Sequence, residues 1–144
     1  MNISETNFPR VVIVGGGFGG LSLASSLKGV GVQVVLLDRN NYHTFQPLLY
    51  QVASSGLEPD SIAFPIRKIF RNQENVEFRM TEVLEIIPDK KTVLTGIGEL
   101  KYDYLVLATG SQTGFFGLKS VEQNSMAMKS IPQALDLRSL ILQK

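Results

Sequence analysis

The stretch VVIVGGGFGGLSLASSLKGVGVQVVLLD, Val11 to Asp38, decides the fold of this chain. It opens with four apolar β-branched residues, Val11 to Val14, which pass straight into GGGFGG. Gly15, Gly17 and Gly20 stand at the three glycine positions of G-x-G-x-x-G. A helix-compatible run, Leu21 to Lys28, comes next, and a second apolar run, Val32 to Leu37, ends at Asp38. That order reads as strand, phosphate-binding turn, helix, strand and terminal acid.

Each position has a physical reason. Gly15 is expected to supply the tight turn, Gly17 to let the backbone approach a pyrophosphate, and Gly20 to let the helix lie close to the strand. Ala24, one helical turn beyond Gly20, keeps that contact face small. The N–H groups at the start of the helix lack partners within it and carry the positive end of its dipole, so they form an anion site. Asp38 lies eighteen positions beyond Gly20, near the spacing of about 20 at which an acid meets a ribose. Its carboxylate would accept hydrogen bonds from ribose hydroxyls and repel a 2′-phosphate, which argues against NADP here. Dinucleotide binding is the expectation; a glycine-rich turn that binds nothing is the alternative.

The chain has 144 residues, enough for one sizeable core. Hydrophobic residues make up 44% and charged ones 19%, as in an ordinary globular protein. Fourteen Lys and Arg against thirteen Asp and Glu leave a net charge of +1, which carries no nucleic-acid footprint. There is no cysteine, so structural disulfides, thiolate metal sites and a redox dithiol within this chain are excluded. A single histidine, His43, makes a histidine metal site equally unexpected. Met1 to Pro9 is too polar for a signal peptide, and no apolar run approaches the ~20 residues of a membrane span.

Beyond Asp38, Arg39 to Asn41 reads as a turn, and FQPLLYQVA mixes aromatic, apolar and amide residues without a period. That segment would either line a flat aromatic cofactor or tuck against a sheet. Asp60 is a candidate N-cap for a helix from Ser61 to Phe70, with Pro65 allowing a break. Arg67, Lys68 and Arg71 near its end read as a solvated face rather than a phosphate patch. Val76 to Arg79, Glu82 to Ile87, Thr92 to Thr95 and Glu99 to Tyr102 are expected strands, with a turn at Pro88–Lys91. Tyr104 to Ala108 is apolar throughout and suits a strand buried on both faces. Thr109–Gly110–Ser111 is a small-residue exit at its carboxyl end, where a ligand can approach backbone. Ser130, Pro132 and the apolar residues from Ile131 to Leu142 predict a closing helix that needs cover.

Taken together, VVIVGGGFGG, then LLDRNNYHTFQPLLYQVASSGLEPDSIAFPIRKIF, then YDYLVLATGS resembles the type II NADH:quinone oxidoreductases. These are non-proton-pumping respiratory-chain flavoenzymes of the two-dinucleotide-domain, pyridine nucleotide-disulfide oxidoreductase-like class. The likeness runs from Arg10 to Lys144, and its middle segment is the family-specific part. It implies an α/β, Rossmann-like FAD-binding domain: a parallel sheet with an added small antiparallel segment, incomplete relative to the full fold. Residues 1–9 would be an N-terminal tail, 10–116 the first part of that domain, and 117–144 a connection toward an NADH-binding domain not present here.

The resemblance also assigns roles. Gly15, Gly17, Phe18 and Gly20 would sit at the FAD pyrophosphate, Asp38 at the adenosine ribose and Arg39 near adenine. His43, Gln46, Pro47 and Leu48 would pass along the flavin side. The backbone of Val83 would address adenine, and Ala108, Thr109 and Gly110 would close on the cofactor. No catalytic side chain and no metal ligand is assigned. Tyr42, Tyr50 and Gln51 are possible flavin neighbours whose ordinary reading is packing. The chain is read as an N-terminal piece, inactive alone, of a protein that oxidises NADH and reduces a quinone. That protein would be cytoplasmic and peripheral to the inner membrane, and the piece would self-associate through its apolar end helix. A ferredoxin or sulfide:quinone type of flavin reductase, and a non-catalytic nucleotide-binding module, are the alternatives.

Overall fold

A computed structural model describes residues 1–143. Lys144, the last residue of the expected 117–144 connection, lies outside the described residues. In chain order the elements are β1 (Arg10–Val14), α1 (Phe18–Ser26), β2 (Gln33–Asp38), β3 (Tyr42–Thr44), α2 (Leu49–Ala53), β4 (Ala63–Pro65), α3 (Ile66–Ile69), β5 (Val76–Met80), β6 (Val83–Ile87), β7 (Thr92–Thr95), β8 (Gly98–Lys101), β9 (Tyr104–Leu107), α4 (Lys119–Gln123) and α5 (Ile131–Leu142). The chain forms two compact units, one from residues 1–43 and 65–110, the other from 44–64 and 111–144. β3 and β4 span the points where it passes between them.

The first unit is built on a parallel sheet of order β5-β2-β1-β9. β1 runs beside β2 with Ile13 opposite Leu36, and beside β9 with Ile13 opposite Val106. Alternate residues of a strand point to opposite faces, so the continuous apolar runs of β1 and β2 bury both sides. On one face, Val11, Ile13, Val34 and Leu36 pack with Ala24 of α1, Ile66 and Phe70 at the two ends of α3, and Phe78 of β5. On the other, Val12, Val14, Val35 and Leu37 pack with Val93 and Leu100 of an antiparallel sheet of order β6-β7-β8. The expected parallel sheet with a small antiparallel addition is therefore present.

Ile3 is buried in that second cluster, so the N-terminal segment is held although it has no regular structure. The Gln33 side chain donates to Ser4 O at 2.7 Å, and the Arg79 guanidinium donates to Asn2 O at 2.7 Å.

Three local expectations are corrected. The helix expected over Leu21–Lys28 begins earlier, at Phe18, with Leu21 N–H donating to Gly17 O at 3.0 Å. Glycine disfavours helix interiors, but in the first turn close backbone packing outweighs that preference. Asp60 does not cap a helix from Ser61 to Phe70: Pro59–Ser61 is a 3-10 turn, β4 follows, and α3 covers only four residues. Pro65 explains this, because the residue before a proline is pushed to extended backbone and helix can start only after it. β9 is not buried on both faces. It is the last strand in the sheet order, and Tyr104 and Leu107 are each 62% exposed.

In the second unit, Pro47 lies in a 3-10 turn, Gln46–Leu48, that feeds α2. Leu49, Val52 and Ala53 pack with Ile62 and with Ala134 of α5. The Arg138 guanidinium lies 3.5 Å from Glu58 Oε2. α5 starts as expected: Ser130 is its N-cap, its Oγ accepting from Gln133 N–H at 3.4 Å, with Pro132 in the first turn. Ser130→Ala is expected to cost about 0.5–2 kcal/mol, checked by the urea midpoint of the purified chain. Leu140, Ile141 and Leu142 at the far end of the helix are exposed.

Candidate functional site

The carboxyl ends of β1, β2 and β9 and the start of α1 bring together residues separated by most of the chain. β1 ends at Val14, and Gly15 N–H donates to Leu37 O of β2 at 2.8 Å. On the other side, Ala108 N–H donates to Val14 O at 2.8 Å. Gly15 has φ +109°, and a Cβ there would stand 2.3 Å from Ala108 O. A Cβ on Gly20 would stand 1.9 Å from Gly15 O. Gly15 therefore makes the turn and Gly20 the helix–strand contact, the roles expected of them.

Gly17 is different. It is the N-cap of α1 in extended conformation, and a Cβ there would meet nothing within 4 Å among the described residues. Gly110, beyond β9, is likewise open and has φ +74°. The first turn of α1 contains no acidic residue, so no negative charge of its own competes for the positive end of the helix. The loop thus presents backbone to an open side, a cradle that fits an anion such as a pyrophosphate.

Asp38 closes β2, and its carboxylate is held in place. Oδ2 accepts from Gly16 N–H at 2.6 Å, and Oδ1 accepts from Asn40 N–H at 2.7 Å. A carboxylate has about four acceptor positions, so two such bonds leave capacity for hydroxyl donors of a ligand. Thr81 N–H donates to Asp38 O at 2.8 Å, which leads the chain from β5 past the acid toward Val83 in β6. Arg39 faces Glu82 at 3.8 Å, both side chains exposed, a pairing that adds little to stability.

His43 Nδ1 lies 3.1 Å from Gly16 O, and its ring stands edge-on to Phe18 with centroids 4.8 Å apart. Of the residues singled out from sequence, Gly15, Gly17, Phe18 and Gly20 form this loop, Asp38, His43, Ala108 and Thr109 stand against it, and Gly110 is next in the chain. Arg39 and Val83 follow the strands beside it. Gln46, Pro47 and Leu48 belong to the other unit. Arg67 stacks over Phe78 with Cζ 5.4 Å from the ring centre, a packing role for one of the three end-of-helix cations.

Two residues escaped the sequence reading. Gly16, the variable position of the motif, is held at both its N–H and its C=O, and a Cβ there would stand 2.5 Å from Ile66 Cδ1. The run of three glycines carried that signal. Asn41 has its Oδ1 buried without a hydrogen-bond partner among the described residues, and nothing in its sequence context marked it.

Comparison with known proteins adds ancestry to this geometry. A profile of the pyridine nucleotide-disulphide oxidoreductases matches residues 9–144. The chain is 41% identical over 137 residues to the type II NADH:quinone oxidoreductase NdhA of Mycobacterium tuberculosis, an alignment covering 92% of this chain and 29% of that protein. Among solved structures, NDH2 from Plasmodium falciparum superposes with a TM-score of 0.85 at 26% identity, over 95% of this chain and 29% of that one. The sulfide:quinone oxidoreductase of Aquifex aeolicus gives a TM-score of 0.81 at 30% identity, over 94% and 32%. This chain thus spans less than a third of the length of these relatives.

Proposed function

Because this chain belongs to the pyridine nucleotide-disulphide oxidoreductase family, we propose that it is the FAD-binding part of an FAD-dependent NADH dehydrogenase that reduces a membrane quinone. The observation that carries the reading is the open backbone cradle at Gly17 between the closed contacts of Gly15 and Gly20, with Asp38 fixed beside it. When bound, FAD supplies the two-electron relay between nicotinamide and quinone. The protein's part is to hold the dinucleotide. Gly17, Phe18 and the start of α1 take the pyrophosphate, Asp38 the ribose hydroxyls, and Arg39 with the Val83 backbone the adenine end. Ala108, Thr109 and Gly110 close on the cofactor from β9. Residues 10–116 are assigned to this binding domain and 117–144 to the connection toward a nicotinamide domain.

The likeness to proteins named NADH:quinone oxidoreductases supports NADH and quinone as substrates of the whole protein. A quinone acceptor places that protein at a membrane surface, and the assigned place is the cytoplasmic face of the inner membrane. Among the described residues no helix is long and apolar enough to cross a membrane. The likeness to a sulfide:quinone oxidoreductase supports a second reading in which sulfide is the electron donor.

The test is a visible absorbance spectrum of the purified chain, with chromatography of what denaturation releases. About one FAD per chain is the expected result. A colourless protein that also rejects added FAD would count against the assignment. Gly17→Val sharpens the test, since its Cβ enters the open side of the cradle, where no described residue stands within 4 Å of it. Its melting temperature should stay within a few degrees while FAD affinity falls at least about tenfold, one lost charge-assisted contact. Steady-state NADH oxidation by the whole protein, with quinone or with sulfide as the varied partner, separates the two readings.

A further inference from the structure

We propose that His43 is a positioning residue of the cofactor loop, acting through the Gly16 peptide and not on the flavin ring. This rests on the dinucleotide reading of the glycine loop. Gly16 O is a carbonyl and can only accept, so a hydrogen bond to His43 Nδ1 at 3.1 Å requires the proton to sit on Nδ1. The neutral ring then carries a bare Nε2, and its tautomer is set by the loop. Phe18, the first residue of α1, packs edge-on against the same ring at an interplanar angle of 83°. Gly16 N–H is taken by Asp38 Oδ2 at 2.6 Å, so both polar groups of this residue are fixed from outside the loop.

The consequence follows from the planar trans peptide. Its C=O and N–H point in opposite directions. Pinning Gly16 C=O toward His43 therefore directs Gly17 N–H away from the histidine. Among the described residues that N–H has no acceptor of its own. The ring thus aims a donor of the open cradle before any ligand arrives, and the loop need not be ordered at the moment of binding.

Two measurements test this. The first is the ¹⁵N spectrum of the neutral His43 ring, His43 being the single histidine of the chain. A protonated Nδ1 with bare Nε2 is expected, and a proton on Nε2 instead would overturn the clamp. The second is titration of FAD into the purified wild type, His43→Asn and His43→Phe. Asparagine presents an amide N–H near the Nδ1 position, and phenylalanine keeps the ring against Phe18 while losing the donor. His43→Asn should bind FAD within about twofold of wild type, and His43→Phe about five- to tenfold more weakly, the loss of one hydrogen bond. Equal affinity in all three, or equal loss in both variants, would reduce His43 to packing and sink the proposal. If His43→Phe fails to fold, His43→Gln takes its place, because its longer side chain carries the amide past the Nδ1 position. A wild-type chain that takes up no FAD overturns the dinucleotide reading itself, an outcome distinct from a variant that matches wild type.

Discussion

Gly20→Ala is expected to destabilise the chain by about 3–5 kcal/mol, at the upper end of single-residue effects. Helix propensity argues the other way, since alanine is favoured over glycine in a helix by about 1 kcal/mol. The contact decides. The added Cβ would stand 1.9 Å from Gly15 O and 3.4 Å from Ile13 Cγ2. The first of these is a backbone atom at the strand-to-helix turn, so no rotamer change relieves it, and α1 must lift from β1. Ala24, buried one turn later on the same face, would lift with it. The midpoint of urea unfolding at unchanged slope checks the expectation. A midpoint equal to wild type would mean that α1 does not lie on β1 as closely as described.

The second large effect is expected at Leu36. It is fully buried at the centre of β2, opposite Ile13 on one side and Phe78 on the other. Leu36→Ala removes apolar atoms from a layer also walled by Ile66 and Phe70, where β-sheet neighbours on two sides prevent collapse into the space. A loss of about 2–5 kcal/mol follows from lost transfer energy plus the cavity. Leu84 of β6, 66% exposed, is the control: Leu84→Ala should change little. Comparable midpoints for the two variants would show that β2 is not the centre of the core.

The glycine loop and both inner strands were legible because their pattern is dense. Four β-branched residues, three spaced glycines and a terminal acid each exclude most other local structures. The start of α1 was misjudged by three residues because glycine's propensity is a local quantity, whereas Gly20 is placed by a contact with Gly15. The exposure of β9 was not legible at all. An apolar run states that a strand can be buried on both faces, but what packs over those faces decides whether it is, and Tyr104 and Leu107 are left uncovered. The same limit hid Gly16 and Asn41, whose significance lies in partners made or missing across the fold. The helix from Ser130 was read well, since a capping serine and a first-turn proline act locally.

The pairing of β1 with both β2 and β9 also bears on how the chain acquires its shape during synthesis. Val11 finds Val34 early, but its other neighbour, Tyr104, emerges some ninety residues after it. At about 5–20 residues per second, that is a wait of roughly 5–20 s on the ribosome. Through that interval one flank of β1, buried in the finished sheet, has no strand to pair with and offers open N–H and C=O groups beside apolar side chains. Such an edge recruits other strands, so the nascent chain is most vulnerable to mispairing just before Tyr104–Leu107 arrives. Slowing translation ahead of that segment would lengthen the hazard, and a chaperone that shields extended apolar segments would be needed most there.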